Sequence, residues 1–550
     1  MRDVRGGPER PEHSVFRGSG GPLLPSRRRA GGAILKETFY ITTPIYYVND
    51  VPHIGHAYTT IAADALARYH RMKGQKVFFL TGTDEHGEKV HKSATQQGVS
   101  PKELADRVVT RFQGLTPALN ITNNDFIRTS EPRHYASVQD IFRKSLANGD
   151  IFLGQYEGWY CTPCESYWTD LQLVDGTCPD CRRPASSRRE PSYFFRLSKF
   201  QKPLLEYYER NPRFIRPESR RNEVIAFVQS GLTDLSVSRT SLPWGIPVPG
   251  ADSHVIYVWY DALTNYITGV GYPERTEAFE TFWPADLHMV GKDILRFHAI
   301  YWPAFLMSAG LAPPLGVFAH GWWTVEGQKM SKSLGNVVDP YEMVERYGAD
   351  AFRYFLLREV PFGKDGDFSR KGLVDRMNSD LANNLGNLLN RSLNMLGKYC
   401  SSAVPSPTAS DPSDEALLRA AREVLPAVEA AMEEVEFHKV LAAVLSLADR
   451  ANKYIDTNAP WALAKDPARK DRLGTVLYHA LEASRISVLL MSPFIPTAAQ
   501  RMWEALGCDG SVEKAILSEA GGFGGLRVGA TLPRSVIAFP RIEEDGGRRS

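Results

Sequence analysis

Residues 38–70 read TFYITTPIYYVNDVPHIGHAYTTIAADALARYH, and the fold follows from the change of period inside that stretch. Thr38 to Thr43 is an apolar run of strand length, which reads as a buried strand. A loop punctuated by Pro44, Asn49, Pro52 and Gly55 follows. Beyond it Ile61, Ala62, Ala65, Leu66 and Tyr69 recur at helical spacing. Val77 to Leu80 (VFFL) is a second strand, and a helix-like run begins near Ser100. Strand, helix, strand, helix predicts an α/β domain with a Rossmann-type parallel sheet covered on both faces. A second block of this texture lies far downstream, in Val255 to Trp259 (VIYVW), Leu287 to Val290 and Gly316 to Trp323. Residues 132–250, rich in aromatics and cysteine, read as an insertion that splits the sheet.

Beyond residue 375 strand signals fade. Leu417, Ala421, Val424, Val428, Met432 and Val435 keep three-to-four spacing, and similar stripes run through 440–455 and 474–491, predicting an α-helical bundle. Ser401 to Ser413 reads as a linker within it. Residues 1–35 are rich in Gly, Arg and Pro without apolar periodicity and read as a disordered extension; a targeting segment is the alternative, which Asp3, Glu9 and Glu12 disfavour.

The 550 residues carry 65 Lys and Arg against 63 Asp and Glu, a formal +2, so any polyanion must be met by local patches rather than an overall field. No apolar run approaches the ~20 residues that span a bilayer; Val488 to Ala499 is short and broken by Pro493 and Pro496. Six cysteines make no disulfide framework. Four of them form the pairs Cys161-x2-Cys164 and Cys178-x2-Cys181, the thiolate set of one tetrahedral, closed and therefore structural zinc site. That chemistry predicts a reducing, cytoplasmic setting.

Two short motifs carry the chemistry. His53-Ile54-Gly55-His56 follows the first strand and opens a helix, where unpaired N–H groups and the positive end of the dipole hold phosphate. Lys329-Met330-Ser331-Lys332-Ser333-Leu334-Gly335 is a cationic loop between glycines. Either alone also fits an ordinary surface loop. In this order on a split parallel sheet, they resemble the joint HIGH and KMSKS signature of class I aminoacyl-tRNA synthetases. The chain is similar to the methionyl-tRNA synthetase family from Thr38 to near residue 540, through Thr43-Pro44-Ile45-Tyr46-Tyr47, Thr81-Gly82-Thr83-Asp84-Glu85-His86-Gly87, Tyr257-Val258-Trp259-Tyr260-Asp261-Ala262, Gly291-Lys292-Asp293-Ile294 and Ala459-Pro460-Trp461.

The resemblance implies ATP-dependent activation of methionine to methionyl-adenylate and its transfer to the terminal adenosine of tRNA(Met). It implies that His53, His56, Lys329 and Lys332 stabilise phosphate charge, with Mg²⁺ on the nucleotide. Gly55, Gly291, Asp293, Ile294 and Lys332 would bind ATP. Asp84 would hold the α-ammonium of methionine beside Ile45, Tyr47, Trp259, Ala262, Leu263, Tyr266 and His298, with Arg239 a candidate partner of Asp84. Aromatic rings suit a thioether by about 0.3–1.5 kcal/mol per contact. Asn387, Arg391 and Trp461 would read the anticodon, the tryptophan stacking on a splayed base.

The implied domains are an extension at 1–35, sheet halves at 36–131 and 251–324, the knuckle insertion at 132–250, a KMSKS region at 325–375, the anticodon-binding bundle at 376–540 and a tail at 541–550. Synthetases for leucine, isoleucine or valine would need a large editing insertion between the motifs, and a cysteine-specific relative would place zinc at the amino-acid site. The other alternative is a catalytically inactive, zinc-containing RNA-binding homologue. The expected particle is a monomer, because after Trp503 only a strand-like tail, Val536 to Phe539, precedes the charged end.

Overall fold

The computed structural model describes residues 37–168, 170–330 and 335–542. The extension expected at 1–35 lies outside the described residues. Strands β1 (Thr38–Tyr47), β2 (Lys76–Asp84), β3 (Asp125–Arg128), β4 (Ile215–Arg216), β5 (Leu287–Gly291) and β6 (Val317–His320) form one sheet in the order β3-β2-β1-β5-β6-β4. Every pairing is parallel. The order runs outward in both directions from β1 and β5, and such a switch leaves a crevice at the carboxyl ends of those two strands, where open α/β sheets bind ligands.

Helix α1 (Ile54–Met72) crosses from β1 toward β2 and is buried along nearly its whole length. Ala57, Ala62, Ala63, Ala65 and Ala67 let it approach closely. Two charges, Asp64 and Arg68, are buried with it and pair with each other at 2.8 Å. Asp64 also pairs with Arg353, 0% exposed, on the helix Ala349–Arg358. The Arg353 guanidinium donates to Asp64 at 2.7 Å, to the Leu119 carbonyl at 3.0 Å, and to the Pro493 and Phe494 carbonyls at 2.8 and 3.1 Å. One fully used fork thus ties α1 to the helical region.

The cysteine-bearing insertion is built on an antiparallel ribbon of Ile151–Cys161 with Ser186–Phe195. The insertion stretch also supplies β4, which pairs with Val317 and Phe318 of β6. The bundle comprises α2 (Asn387–Tyr399), α3 (Glu415–Glu433), α4 (Phe437–Asn458) and α5 (Lys470–Met491). Every residue of α5 from Leu473 to Met491 is buried, so α5 is the central helix. The α3 stripe buries Leu417, Ala421, Val424, Val428 and Met432, in the expected register.

Three sequence expectations need correction. Val255 to Trp259 is not a strand of the main sheet. Ala251–Ile256 pairs antiparallel with Ser238–Arg239 and Pro247–Val248 in a separate small sheet, and a helix, Val258–Leu263, begins at once. Residues Val258 to Thr268 are buried on every side, and such a segment has no polar face to reveal its period. Gly316 to Trp323 breaks after His320, and Trp323–Val325 joins another small sheet; at Gly321 a Cβ would lie 2.3 Å from the Lys364 carbonyl oxygen. Val536 to Phe539 forms no strand. Ala538 and Phe539 are buried, and Arg501 donates to the Ala538 carbonyl at 3.0 Å.

Candidate active site

A cleft of about 1060 Å³ opens at the carboxyl ends of β1 and β5. His53, Gly55 and His56 line it, as do Gly291, Asp293 and Ile294, and so does every residue expected around methionine: Ile45, Tyr47, Asp84, Trp259, Ala262, Leu263, Tyr266 and His298.

His53 is the N-cap of α1 and forms a reciprocal capping box with His56. His53 Nδ1 accepts the Gly55 N–H at 3.0 Å, and His56 Nδ1 accepts the His53 N–H at 3.1 Å. An imidazole whose Nδ1 accepts carries its proton on Nε2. Burial lowers the pKa of His53, and burial together with His53 lowers that of His56 well below its ordinary value. Both rings are therefore neutral near pH 7, stacked 3.8 Å apart, each with one N–H left to donate. At Gly55 a Cβ would lie 2.9 Å from His53 Cε1, and at Gly291 it would lie 2.5 Å from Asp293 Oδ1. Side chains at either position would close the floor of the cleft. Asp293 accepts the Trp322 indole N–H at 3.1 Å.

Asp84 ends β2 and is 2% exposed. Among the described residues its Oδ1 receives only a long 3.4 Å bond from the His86 N–H. Burial, then the charges of Asp261 and Glu165, raise its pKa well above the carboxylate range. A buried carboxylate so placed gains strongly from a cation. Behind it Asp261 accepts from His86 Nδ1 and His134 Nε2, both at 2.7 Å. Sequence reasoning did not single out this His86–Asp261–His134 network, although His86 and Asp261 fall within the quoted stretches. It also missed His320, which lines the cleft and bonds Thr59 at 2.7 Å; its signal was its place at the end of a strand. Arg239 ion-pairs at 3.9 Å with Glu190 and lies over the rings of Tyr160 and Tyr257.

The apolar end of the cleft is rigid. Trp259 stacks on Phe297 at 3.7 Å with an 8° interplanar angle. His298 is pushed down to about 4 by burial and is neutral. Its Nδ1–H donates to the Ile294 carbonyl at 2.9 Å, so its Nε2 accepts the Tyr266 hydroxyl at 2.6 Å. Lys329 belongs to a two-residue strand that pairs with Thr324, and Met330 lines the cleft. Lys332 lies outside the described residues.

The Sγ atoms of Cys161, Cys164, Cys178 and Cys181 all fall within 4.8 Å of one another, and none is disulfide-bonded. Burial pushes Cys161 up to about 12 and raises Cys164 further, and the neighbouring sulfurs add to both. Four crowded thiols gain from a soft divalent cation, which favours their ionised form. In the bundle, Asn387 and Arg391 share one face of α2; Asn387 bonds Asn452 at 3.4 Å, and Arg391 pairs with Asp456. The Arg391 guanidinium lies 5.6 Å from the ring of Trp461, which is 44% exposed. The three residues expected to act together thus form one patch.

Comparison with known proteins agrees with this geometry. The family model "tRNA synthetases class I (M)" matches residues 39–189 and 183–393, and "Anticodon binding domain of methionyl tRNA ligase" matches 404–547. The methionine–tRNA ligase of Caldanaerobacter subterraneus subsp. tengcongensis is 54% identical over 510 residues, covering 92% of this chain and 80% of that protein. That of Bacillus subtilis is 50% identical over 522 residues, with 92% and 78% covered. Mycobacterium tuberculosis methionyl-tRNA synthetase, solved in complex with methionyl-adenylate, superposes with a TM-score of 0.89 at 46% identity, covering 92% of this chain and all of that one. With two family models spanning most of its length and relatives at half identity, the chain belongs to the methionyl-tRNA synthetase family of class I aminoacyl-tRNA synthetases.

Proposed function

We propose that the chain activates L-methionine with ATP to methionyl-adenylate, releasing pyrophosphate, and passes the methionyl group to the 2′-hydroxyl of the terminal adenosine of tRNA(Met), releasing AMP. The observation that carries this reading is one cleft that joins a buried, cation-seeking Asp84 in an aromatic pocket to two neutral imidazoles with free Nε2–H donors. Asp84 would hold the α-ammonium. Ile45, Tyr47, Trp259, Ala262, Leu263, Tyr266 and His298 would enclose the thioether, aromatic edges supplying the sulfur contacts.

The methionine carboxylate then attacks the α-phosphate in line. The phosphate charge grows between the His53 and His56 donors, which need no reorganisation as it forms. Gly55, Gly291, Asp293 and Ile294 would frame the adenosine. Lys329 and Lys332 would neutralise the leaving pyrophosphate, and Mg²⁺ enters with the nucleotide substrate. Positioning and charge stabilisation suffice, and no side chain acts as a nucleophile.

Cys161, Cys164, Cys178 and Cys181 would hold one zinc ion, which cross-links the knuckle and carries no step of the reaction. Asn387, Arg391 and Trp461 would read the CAU anticodon, on the support of their shared patch. We favour a division into split sheet, knuckle insertion, KMSKS region and bundle, with β4 of the insertion stretch completing the sheet and Ala251–Ile256 pairing back to the insertion. Among the described residues no helix is long and apolar enough to cross a membrane; a cytoplasmic monomer is the state we propose, supported by apolar helix faces that are buried within the bundle. Charging with labelled methionine tests the whole reading. A tRNA bearing CAU should accept the label, and an anticodon change should abolish it. Equal charging of both would reject the anticodon assignment, and charging of neither would reject the activity.

A further inference from the structure

Lys89 is the second residue of the helix Glu88–Gln97, where the unpaired N–H groups of a helix start disfavour a cation. What holds it there lies outside the helix. Its ammonium is 3.8 Å from Glu165 Oε2 and 3.9 Å from the centre of the Tyr47 ring. The side chain is 18% exposed, so this cation–π contact is largely withdrawn from water, the setting in which such contacts are strongest.

Glu165 is itself unusual. It follows Cys164 of the knuckle, is fully buried, and has a left-handed backbone with φ 51°. Tyr257 donates to its carbonyl at 2.6 Å, and the Lys89 N–H donates to its Oε1 at 3.3 Å. Gly87 makes room for it: a Cβ there would lie 2.6 Å from Glu165 Oε1, on a backbone with φ +95°. The knuckle, the turn after β2 and the start of the helix Glu88–Gln97 therefore meet on one carboxylate.

The third member, Tyr47, is a wall of the cleft. Its hydroxyl is buried and lies beside the buried Glu165 carboxylate. Burial first, and then the charges of Glu165 and Asp84, push the phenol well above its ordinary pKa. Glu165 thus bears on the hydroxyl, while the Lys89 ammonium on the ring face and the Trp259 edge, with centroids 6.4 Å apart at 87°, bear on the ring. Lys89 also favours the ionised form of Asp84.

We infer that Lys89 and Glu165 are positioning residues of the amino-acid pocket: the Lys89 ammonium, bracketed between the Glu165 carboxylate and the face of Tyr47, holds that ring in the wall of the site and so sets methionine affinity. The inference rests on the reading of the cleft as a methionine pocket. It makes the knuckle part of that pocket's frame through a residue that is not one of its four sulfurs.

The test is ATP–pyrophosphate exchange in Lys89→Met, with zinc content and melting midpoint measured on the same protein. The KM for methionine should rise about three- to thirtyfold, the span of such a contact from exposed to desolvated settings, while kcat and the KM for ATP stay within about twofold of native. Lys89→Arg should retain most of the affinity, and Glu165→Gln should shift the methionine KM in the same direction as Lys89→Met. If Lys89→Met does not fold, Lys89→Gln carries the same expectation. A folded, metal-replete variant with native methionine KM would overturn the inference, as would one that loses kcat and ATP affinity equally. Asp84→Asn separates the two levels. If it raises the methionine KM and Lys89→Met does not, the bracket alone fails; if neither moves it, the pocket reading fails as well.

Discussion

Replacing Asp84 by Asn keeps the shape of the side chain and removes its charge, and the two consequences should have opposite signs. With methionine absent, the Asp84 carboxylate is buried, has one long hydrogen bond, and stands near the carboxylates of Asp261 and Glu165. The variant should therefore melt no lower than native protein. With methionine bound, the same carboxylate would face an ammonium in a desolvated site. Removing one partner of such a pair costs about 2–5 kcal/mol, which is roughly thirtyfold or more in affinity.

The pH dependence follows from the raised pKa. Only ionised Asp84 holds an ammonium, so methionine affinity should fall as pH is lowered through that pKa, with a proton released on binding. A folded pKa above the unfolded value of about 3.9 means that the fold gains stability from Asp84 below about pH 4 and loses it as pH rises through the folded value. In Asp84→Asn both effects should vanish. Methionine-dependent ATP–pyrophosphate exchange, run from pH 5 to 8 beside thermal melts, reads all three. A folded variant whose methionine KM stays within about threefold of native, well under that binding loss, would refute the reasoning.

Other outcomes are expected elsewhere in the molecule. Trp461→Ala should lower aminoacylation about tenfold or more through tRNA affinity, since a stacked base is worth about 1–3 kcal/mol, and leave exchange intact; equal damage to both half-reactions would make Trp461 structural. Elemental analysis should find about one zinc per chain, and Cys161→Ser should lose it together with local protection in hydrogen exchange; metal-free, folded and reduced native protein would contradict the site. Asp64→Asn should destabilise by about 3–5 kcal/mol, because it removes the buried counter-charge that Arg353 and Arg68 share. Burial alone would raise the pKa of Asp64, but Arg68 and Arg353 hold it at about 2, so its share of stability should persist above the unfolded carboxylate pKa and drain away as pH falls from about 4; an unchanged denaturation midpoint would show that the pair is dispensable.

What could be read in the chain and what could not divides on physical lines. Thr38 to Thr43 and Val77 to Leu80 showed themselves because a buried strand flanked by turn residues has a local signature. The α3 stripe did so because one face of α3 meets solvent. His53 and His56 were legible as a motif, yet their tautomers depend on backbone N–H groups that only the capped helix supplies. Trp259 read as the end of a strand but sits on a short helix in the cleft wall, because full burial on all sides had erased its period. The partners of Asp261 are 175 and 127 residues away in sequence, and Arg353 and Asp64 are 289 apart. No spacing rule reaches such pairs. Lys89 carries no signal in the sequence, and only the approach of Glu165 from the knuckle gives it a role.

The most direct measurement is isotope exchange between pyrophosphate and ATP in the native, zinc-replete chain without tRNA. Label should enter ATP when methionine is present and stay at background with leucine, isoleucine, valine or cysteine. Folded protein that binds tRNA but catalyses no methionine-dependent exchange would contradict the account and leave a non-catalytic RNA-binding homologue in its place.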